Sequence, residues 1–322
     1  MSIIEALKSS DILRRPVKRS KNYIEFLSDA KDFSDHYAEV VEKGGDFRYR
    51  LMLLIHQLEK GMCRDNPRPY GKDKAQSIVE ILKIGSESDQ QLFEYRLAKA
   101  TLIAWRIFYK EKGWELDNTI EAFIIGLGDP DIKAGRELLC KPEKEIESGL
   151  FTSVLFSRRS VRDFEDCPLS EEDINYALDC FITAPTACNR QMCKVYKVDD
   201  SKKKELLAKT ILGIGGFNIH TVTLFLITYD IGAFEFYGER NQGYVNVGLT
   251  AMNFANGLHA KGIGSCFMQW SNKKTDDKMI RKELGISERE RIGLVLGAGY
   301  YKRQTYIPCS TRKSREDIYC VL

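Results

Sequence analysis

The sequence predicts a chain of two parts: an all-helical half over residues 1–144, and a layered half over residues 145–322 of α+β or α/β class. Three observations predict this. In the first half apolar residues recur at helical spacing, and no strand-like alternation is present. In the second half short apolar runs at 194–198, 222–228 and 292–298 alternate with amphipathic helical stretches. The length of 322 residues exceeds that of a usual single domain, so two domains or one elaborated domain are expected.

The first ~20 residues are mixed and basic (Arg14, Arg15, Lys18, Arg19) and read as an arm packed on a partner. Phe47, Leu51, Leu54, Ile55, Leu58 and Met62 then define a helix, which Gly61 and the Asn66–Pro69 segment stop. A helix is expected over Lys74–Lys83, and a longer one with Phe93, Leu97, Trp105 and Phe108 on one face, ending near Gly113. Short helices are expected over Thr119–Ile125 and Ile132–Leu139, around the Gly126–Pro130 breaker. His56 and Glu59, three apart on the first strong helix, share a face. They read either as a substrate-facing acid/base pair or as a partly buried histidine beside a surface glutamate.

The second half opens with a helix over Glu145–Ser157, its stripe Ile146, Leu150 and Val154. Ser170–Asp173 has the form of a capping box ahead of the apolar face Ile174, Ala177, Leu178 and Phe181, and Ala184-Pro185 ends that helix. Lys194–Val198 alternates as a strand, Val222–Thr228 reads as a central strand, and Tyr244–Ala260 is a helix apolar nearly all round. A turn over 262–266 leads into a strand at Cys266–Met268. Thr275 caps a helix to Leu284, Gly285 ends it, and Ile292–Ala298 is a further buried strand.

Composition excludes several classes. Residues 1–150 carry 25 basic and 26 acidic side chains and the remainder 24 and 20, so neither half has the basic excess of a nucleic-acid binder. Lys202–Lys204 reads as a solvated surface segment. Nine cysteines without repeated spacing, and no signal peptide, make a disulfide framework unexpected and a reducing cytoplasm the expected location. No zinc-ligand set completes around Cys188 and Cys193, so no metal is expected, and the apolar runs are too short to span a bilayer. No Ser-His-Asp set or paired-carboxylate arrangement points to hydrolysis.

One stretch organises the second half. Arg158, Arg159, Ser160 and Arg162 place three guanidinium groups and a hydroxyl within five positions, suited to bidentate capture of a phosphate. After the capped helix comes a turn of small and polar residues, Ala184-Pro185-Thr186-Ala187-Cys188-Asn189-Arg190-Gln191, where a flat ligand can approach the backbone.

Together these two motifs resemble the nitroreductase family of flavoenzymes, in which Arg-Arg-Ser-x-Arg and Pro-Ser/Thr-x-x-Asn-x-Gln hold FMN. Lys261-Gly262-Ile263-Gly264-Ser265-Cys266 after the long apolar helix, and Pro308 followed by Arg312 and Lys313, extend the resemblance over residues 145–322. It implies an α+β sandwich, a central mixed sheet flanked by helices, carrying an N-terminal helical domain. It further implies an FMN-dependent oxidoreductase that takes hydride from NAD(P)H and passes it to a small electron-poor acceptor in a ping-pong cycle. Flavin N5 would carry the chemistry, with no catalytic side chain assigned.

By that resemblance Arg158, Arg159, Ser160 and Arg162 bind ribityl, phosphate and ring edge, with Arg162 at the ring edge. Pro185, Thr186, Ala187, Cys188, Asn189 and Gln191 would come from the second subunit of a homodimer. Gly264 and Ser265 would present backbone N–H groups to the ring, and Arg312 or Lys313 would reach the phosphate. The Gly213–Gly216 and Gly297–Gly299 segments complete no dinucleotide fingerprint, so NAD(P)H would stack on the flavin. The chain departs from the family pattern at Met192-Cys193, where Pro-Trp is usual, and at Asn246, where aspartate is common. A protein of this fold that binds flavin and serves in assembly without turnover is the alternative.

Overall fold

The computed structural model describes residues 11–42, 47–64, 67–138, 148–211, 213–270, 272–308, 310 and 312–322. Helices α1 (Asp11–Glu42), α2 (Arg48–Met62), α3 (Lys72–Ile84), α4 (Phe93–Glu111) and α5 (Asn118–Ile125) make up the first half. The stripe that defined α2 is buried with Ile78 and Leu82 of α3, and with Leu97, Trp105 and Phe108 of α4. Phe93, expected on the same face, stands 44% exposed at the first turn of α4. Asp117 caps α5 by accepting from the amides of Thr119 (2.9 Å) and Ile120 (3.3 Å).

Two stretches of this half differ from expectation. Arg14, Arg15, Lys18 and Arg19 of the basic stretch lie in α1, a 32-residue helix with Pro16 near its start, while residues 1–10 lie outside the described residues. Most of its described side chains are exposed, so no apolar stripe marked it in the sequence. Through residue 138 the stretch expected as a helix from Ile132 is irregular. Gly128 and Gly135 adopt left-handed φ values of 73° and 96°, and the Gly135 amide donates to Glu59 Oε1 (3.2 Å) instead of to a helical carbonyl. Glu59 thereby serves as a structural acceptor for the 128–138 segment.

The second half contains α6 (Ser148–Ser157), α7 (Glu171–Ile182), β1 (Cys193–Val198), α8 (Ser201–Ala208), β2 (Thr223–Asp230), α9 (Gln242–Ala260), β3 (Ile263–Gln269), α10 (Lys274–Leu284) and β4 (Glu290–Tyr300). The start expected for α6 at Glu145, its stripe residue Ile146 and the boundary between the halves at 144/145 lie outside the described residues. The run read as a solvated segment at 202–204 lies within α8, capped by Asp200. Helix α10 begins at Lys274 with no side-chain cap, so Thr275 does not start it, whereas Gly285 ends it as expected with φ 71°.

The sheet has the order β1-β2-β4-β3 and every strand pair is antiparallel. Its parallel component is a single bridge, Ser160 to Ser265, on the outer edge of β3. All eight residues of β2 are buried, because the sheet is covered on both faces. Phe225, Ile227 and Tyr229 face α7 and α9, meeting Phe181 and Phe254. Leu224 and Leu226 point the other way, onto Leu207 of α8 and Ile280 of α10. The fold is α+β, with helices on both sides of the sheet.

The halves are fastened together. Phe33 of α1 stacks on Phe234 at 6.1 Å, and Asp32 pairs with Arg291 (2.8 Å) and Lys274 (2.6 Å). Tyr49 of α2 is buried in the apolar core of the second half and donates to Asp230 Oδ2 (3.2 Å). No helix among the described residues is long and apolar enough to cross a membrane.

Candidate active site

Ser157 ends α6, and the chain then runs extended past the edge of β3. Val161 N donates to Ser265 O (3.0 Å) and Glu165 N to Tyr300 O (3.0 Å), which fixes the arginine segment along the sheet. A glycine permits this at each end. A Cβ on Gly299 would sit 2.5 Å from the Phe164 ring, and one on Gly264 would crowd Val161 and Tyr301 at 3.1 Å. Gly264 and Ser265, expected in a turn, are buried within β3, and Gly264 serves the approach of the arginine segment.

The segment forms one wall of a cleft of about 340 Å³, lined by Leu155, Phe156, Arg158, Arg159, Ser160, Pro308, Ser310 and Arg312. Two stretches about 150 residues apart in sequence thus bring three guanidinium groups and two hydroxyls to one opening. Among the described residues no carboxylate lines it. Asp163 pairs instead with Lys302 (2.7 Å), and among the described residues no ion pair engages Arg158, Arg159 or Arg162. Arg159 donates to the carbonyls of Phe156 (2.5 Å) and Arg158 (2.9 Å), where α6 ends. Guanidinium groups that face a cleft without a carboxylate partner among the described residues can hold an anion there.

Other expected residues fall elsewhere. Arg162 packs beside Gly216 and Lys313 is exposed, and neither lines the cleft. The turn 185–191 is likewise absent from its lining. That turn holds three non-glycine residues at positive φ: Cys188 (52°), Asn189 (51°) and Gln191 (50°). Thr186 Oγ1 accepts from Gln191 N (2.9 Å), and Asn246 Oδ1 accepts from Ala187 N (3.3 Å). The two departures from the family pattern touch: Asn246 Nδ2 donates to Met192 Sδ at 3.0 Å. An aspartate at 246 could keep the first bond but could not make the second.

Sequence reasoning missed a hydrogen-bonded chain behind the cleft. Ser157 Oγ lies 2.7 Å from His259 Nε2, and His259 Nδ1 lies 2.9 Å from Tyr301 Oη. Since Ser157 donates to Ser153 O, it accepts from Nε2–H, and Tyr301 donates to Nδ1. No local pattern could have signalled this, because the three residues come from three elements. Burial, then the charges of Arg158 and Arg159, hold the His259 imidazole below its ordinary value of 6.5, so it is neutral at pH 7. Because the folded-state value is depressed, the unfolded chain takes up this proton first. Stability is therefore expected to fall as pH drops through and below about 6.5, levelling off below the folded-state value. Inorganic phosphate in the cleft should offset the two guanidinium charges and raise the His259 midpoint, read by histidine-ring NMR with His259→Gln assigning the resonance. A midpoint that phosphate leaves in place would mean the anion binds elsewhere.

An α+β sandwich with an arginine-lined cleft at its sheet edge is the class the geometry defines. Within it, residues 155–215 and 222–300 match the model of the nitroreductase family. No curated protein matches the chain in sequence. Among solved structures, the ydfN protein of Bacillus subtilis is similar at 20% identity, covering 55% of this chain and 100% of its own, with a TM-score of 0.48. NfrA1 of B. megaterium is similar at 21% identity over 54% of this chain and 74% of its own, TM-score 0.48. An FMN-dependent nitroreductase of Clostridium difficile is similar at 21% identity over 52% and 97%, TM-score 0.44.

Proposed function

We propose that the protein is an FMN-dependent oxidoreductase that accepts reducing equivalents from NAD(P)H and delivers them to a small electron-poor acceptor. One observation carries the reading: Arg158, Arg159, Ser160 and Arg312 line one cleft with no carboxylate among its described lining residues, in a chain whose residues 155–215 and 222–300 match the nitroreductase family. The donor set fits the phosphate of FMN, since guanidinium groups stay charged and bind phosphate bidentately. When bound, FMN supplies two-electron chemistry that no side chain of the protein can supply. Arg158 and Arg312 would hold the phosphate and Ser160 would donate its hydroxyl to it. Leu155 and Phe156 give the cleft an apolar wall. The neutral His259 keeps Ser157, and with it the end of α6, in place without adding a further positive charge.

In this reading the turn 185–191 meets the flavin from the second subunit of a homodimer. Large apolar side chains exposed on α6 (Leu150, Phe151, Phe156), on α9 (Tyr244, Val245, Leu249) and on the tail (Tyr306, Ile318, Tyr319) support a second copy covering them. Residues 1–144 and 145–322 are then a helical domain and a flavin domain.

The purified protein is expected to be yellow, to release FMN and not FAD on denaturation, and to lose its visible flavin absorbance when NADH or NADPH is added without oxygen. Colourless protein that cannot be reconstituted with FMN would refute the flavin reading. Bound FMN that neither nucleotide reduces would favour a flavin-binding protein without turnover.

A further inference from the structure

The left-handed turn needs an explanation of its own. A non-glycine residue at positive φ costs about 1 kcal/mol, and three within four positions persist only where the surroundings over-determine them. The local bonds from Thr186 and Asn246 are part of that support. The rest comes from Arg190, whose side chain is 1% exposed. Its Nε donates to Ala187 O (3.0 Å), and its Nη1 donates to Ala233 O and Glu239 Oε2. Nη2 completes a two-point pair with Glu239. Its guanidinium also lies 5.7 Å from the Phe234 ring centroid. Burial alone would raise the Glu239 carboxyl, but hydrogen bonds and charge from Arg190 outweigh it and hold it below the ordinary range.

The segment that holds Arg190, residues 230–239, is itself held by the helical half. Phe33 of α1 stacks on Phe234, the ring beneath the Arg190 guanidinium. Arg50 of α2 pairs with Glu235 (2.6 Å), whose amide donates to Glu239 Oε2 (3.0 Å). Tyr49 of α2 donates to Asp230. Helix α2 also packs directly against the 187–189 turn. Both N-terminal helices therefore end on the scaffold of one buried arginine.

We propose that the helical half is the positioning element of the 186–191 turn, acting through Phe234 and the Arg190–Glu239 pair, with Phe33 and Arg50 as positioning residues. Its consequence for cofactor affinity rests on the flavin reading above; the coupling itself does not. The test uses the full chain. Phe33→Ala and Arg50→Glu are compared with wild type by hydrogen–deuterium exchange and by FMN fluorescence titration, with Arg50→Glu/Glu235→Arg as the rescue.

Faster exchange in peptides spanning 186–191, with β2 and β4 still protected, and FMN affinity lowered roughly tenfold (the loss of one charge-assisted contact), is the expected result. The double variant should restore both. Unchanged exchange in the turn in both single variants would overturn the inference, whatever the flavin result. If wild type binds no FMN, the flavin reading falls and turn exchange alone decides the coupling. Faster exchange throughout the second half in both variants would also count against it, since the effect would then be general loosening.

Discussion

Replacing Arg158 and Arg312 together by methionine is expected to lower FMN affinity by roughly a hundredfold. A hydrogen bond to a charged group contributes about 1.5–3 kcal/mol. Arg158 is half-buried and Arg312 exposed, so each falls at the lower end, and two losses of ~1.4 kcal/mol each give that factor. The change also removes most of the salt dependence of binding, because the lost charges are those that salt screens. Arg159→Met should weaken binding less, since its guanidinium already donates to the carbonyls at the end of α6. Fluorescence titration of FMN at two salt concentrations reads all three variants. Wild-type affinity in the double variant would place the phosphate away from this cleft.

The second large effect is on stability. Glu290 at the start of β4 is 2% exposed. Its Oε1 accepts from Lys194 Nζ (2.7 Å), its Oε2 from Thr228 Oγ1 (2.8 Å), and both oxygens accept from Tyr196 Oη at 3.0 and 2.9 Å. The carboxylate ties β1, β2 and β4 together beneath the strand backbones. Burial, then the bonds to Glu290, push the Tyr196 hydroxyl above its ordinary value, so it acts as a donor. Glu290→Ala leaves Thr228, which is fully buried, without its acceptor. It should cost about 1–3 kcal/mol, the penalty of a buried donor left without its acceptor, because Lys194 is half-exposed and is not stranded as a buried charge. Glu290→Gln keeps the shape and one acceptor oxygen and should cost less than half of that. Urea denaturation of the two variants side by side makes the comparison, and equal midpoints for Glu290→Ala and wild type would contradict it.

How much of this was legible in the sequence follows from the range of each interaction. Helices α2 to α5 and strands β2 and β4 declared themselves because burial repeats locally, at 3.6 or 2 residues. Helix α1 did not, because it is held at a few points (Glu25, Asp32, Phe33) and exposes much of the rest, including Tyr23, Phe26 and Leu27. The arginine segment was visible as a motif, and its joining with Arg312 was implied by resemblance. Ser157, His259 and Tyr301 were not visible, since they meet only once α6, α9 and the end of β4 are packed. The role of Arg190 is not written in its own motif. Its burial depends on Glu239, 49 positions away.

The sheet order has a consequence for how the chain acquires its structure. β2 is a central strand, yet one of its neighbours, β4, begins 60 residues after β2 ends, with β3 and two helices intervening. During synthesis the helical half can assemble its own apolar core well before then. β2, apolar on both sides, must wait with one edge open. Non-local pairing of this kind makes folding slow and leaves sticky strand edges exposed meanwhile. Tyr49 can reach Asp230 only late, because its acceptor sits at the end of that waiting strand. Final docking of the helical half is thus a late event of maturation, and cold, slow expression should raise the soluble yield.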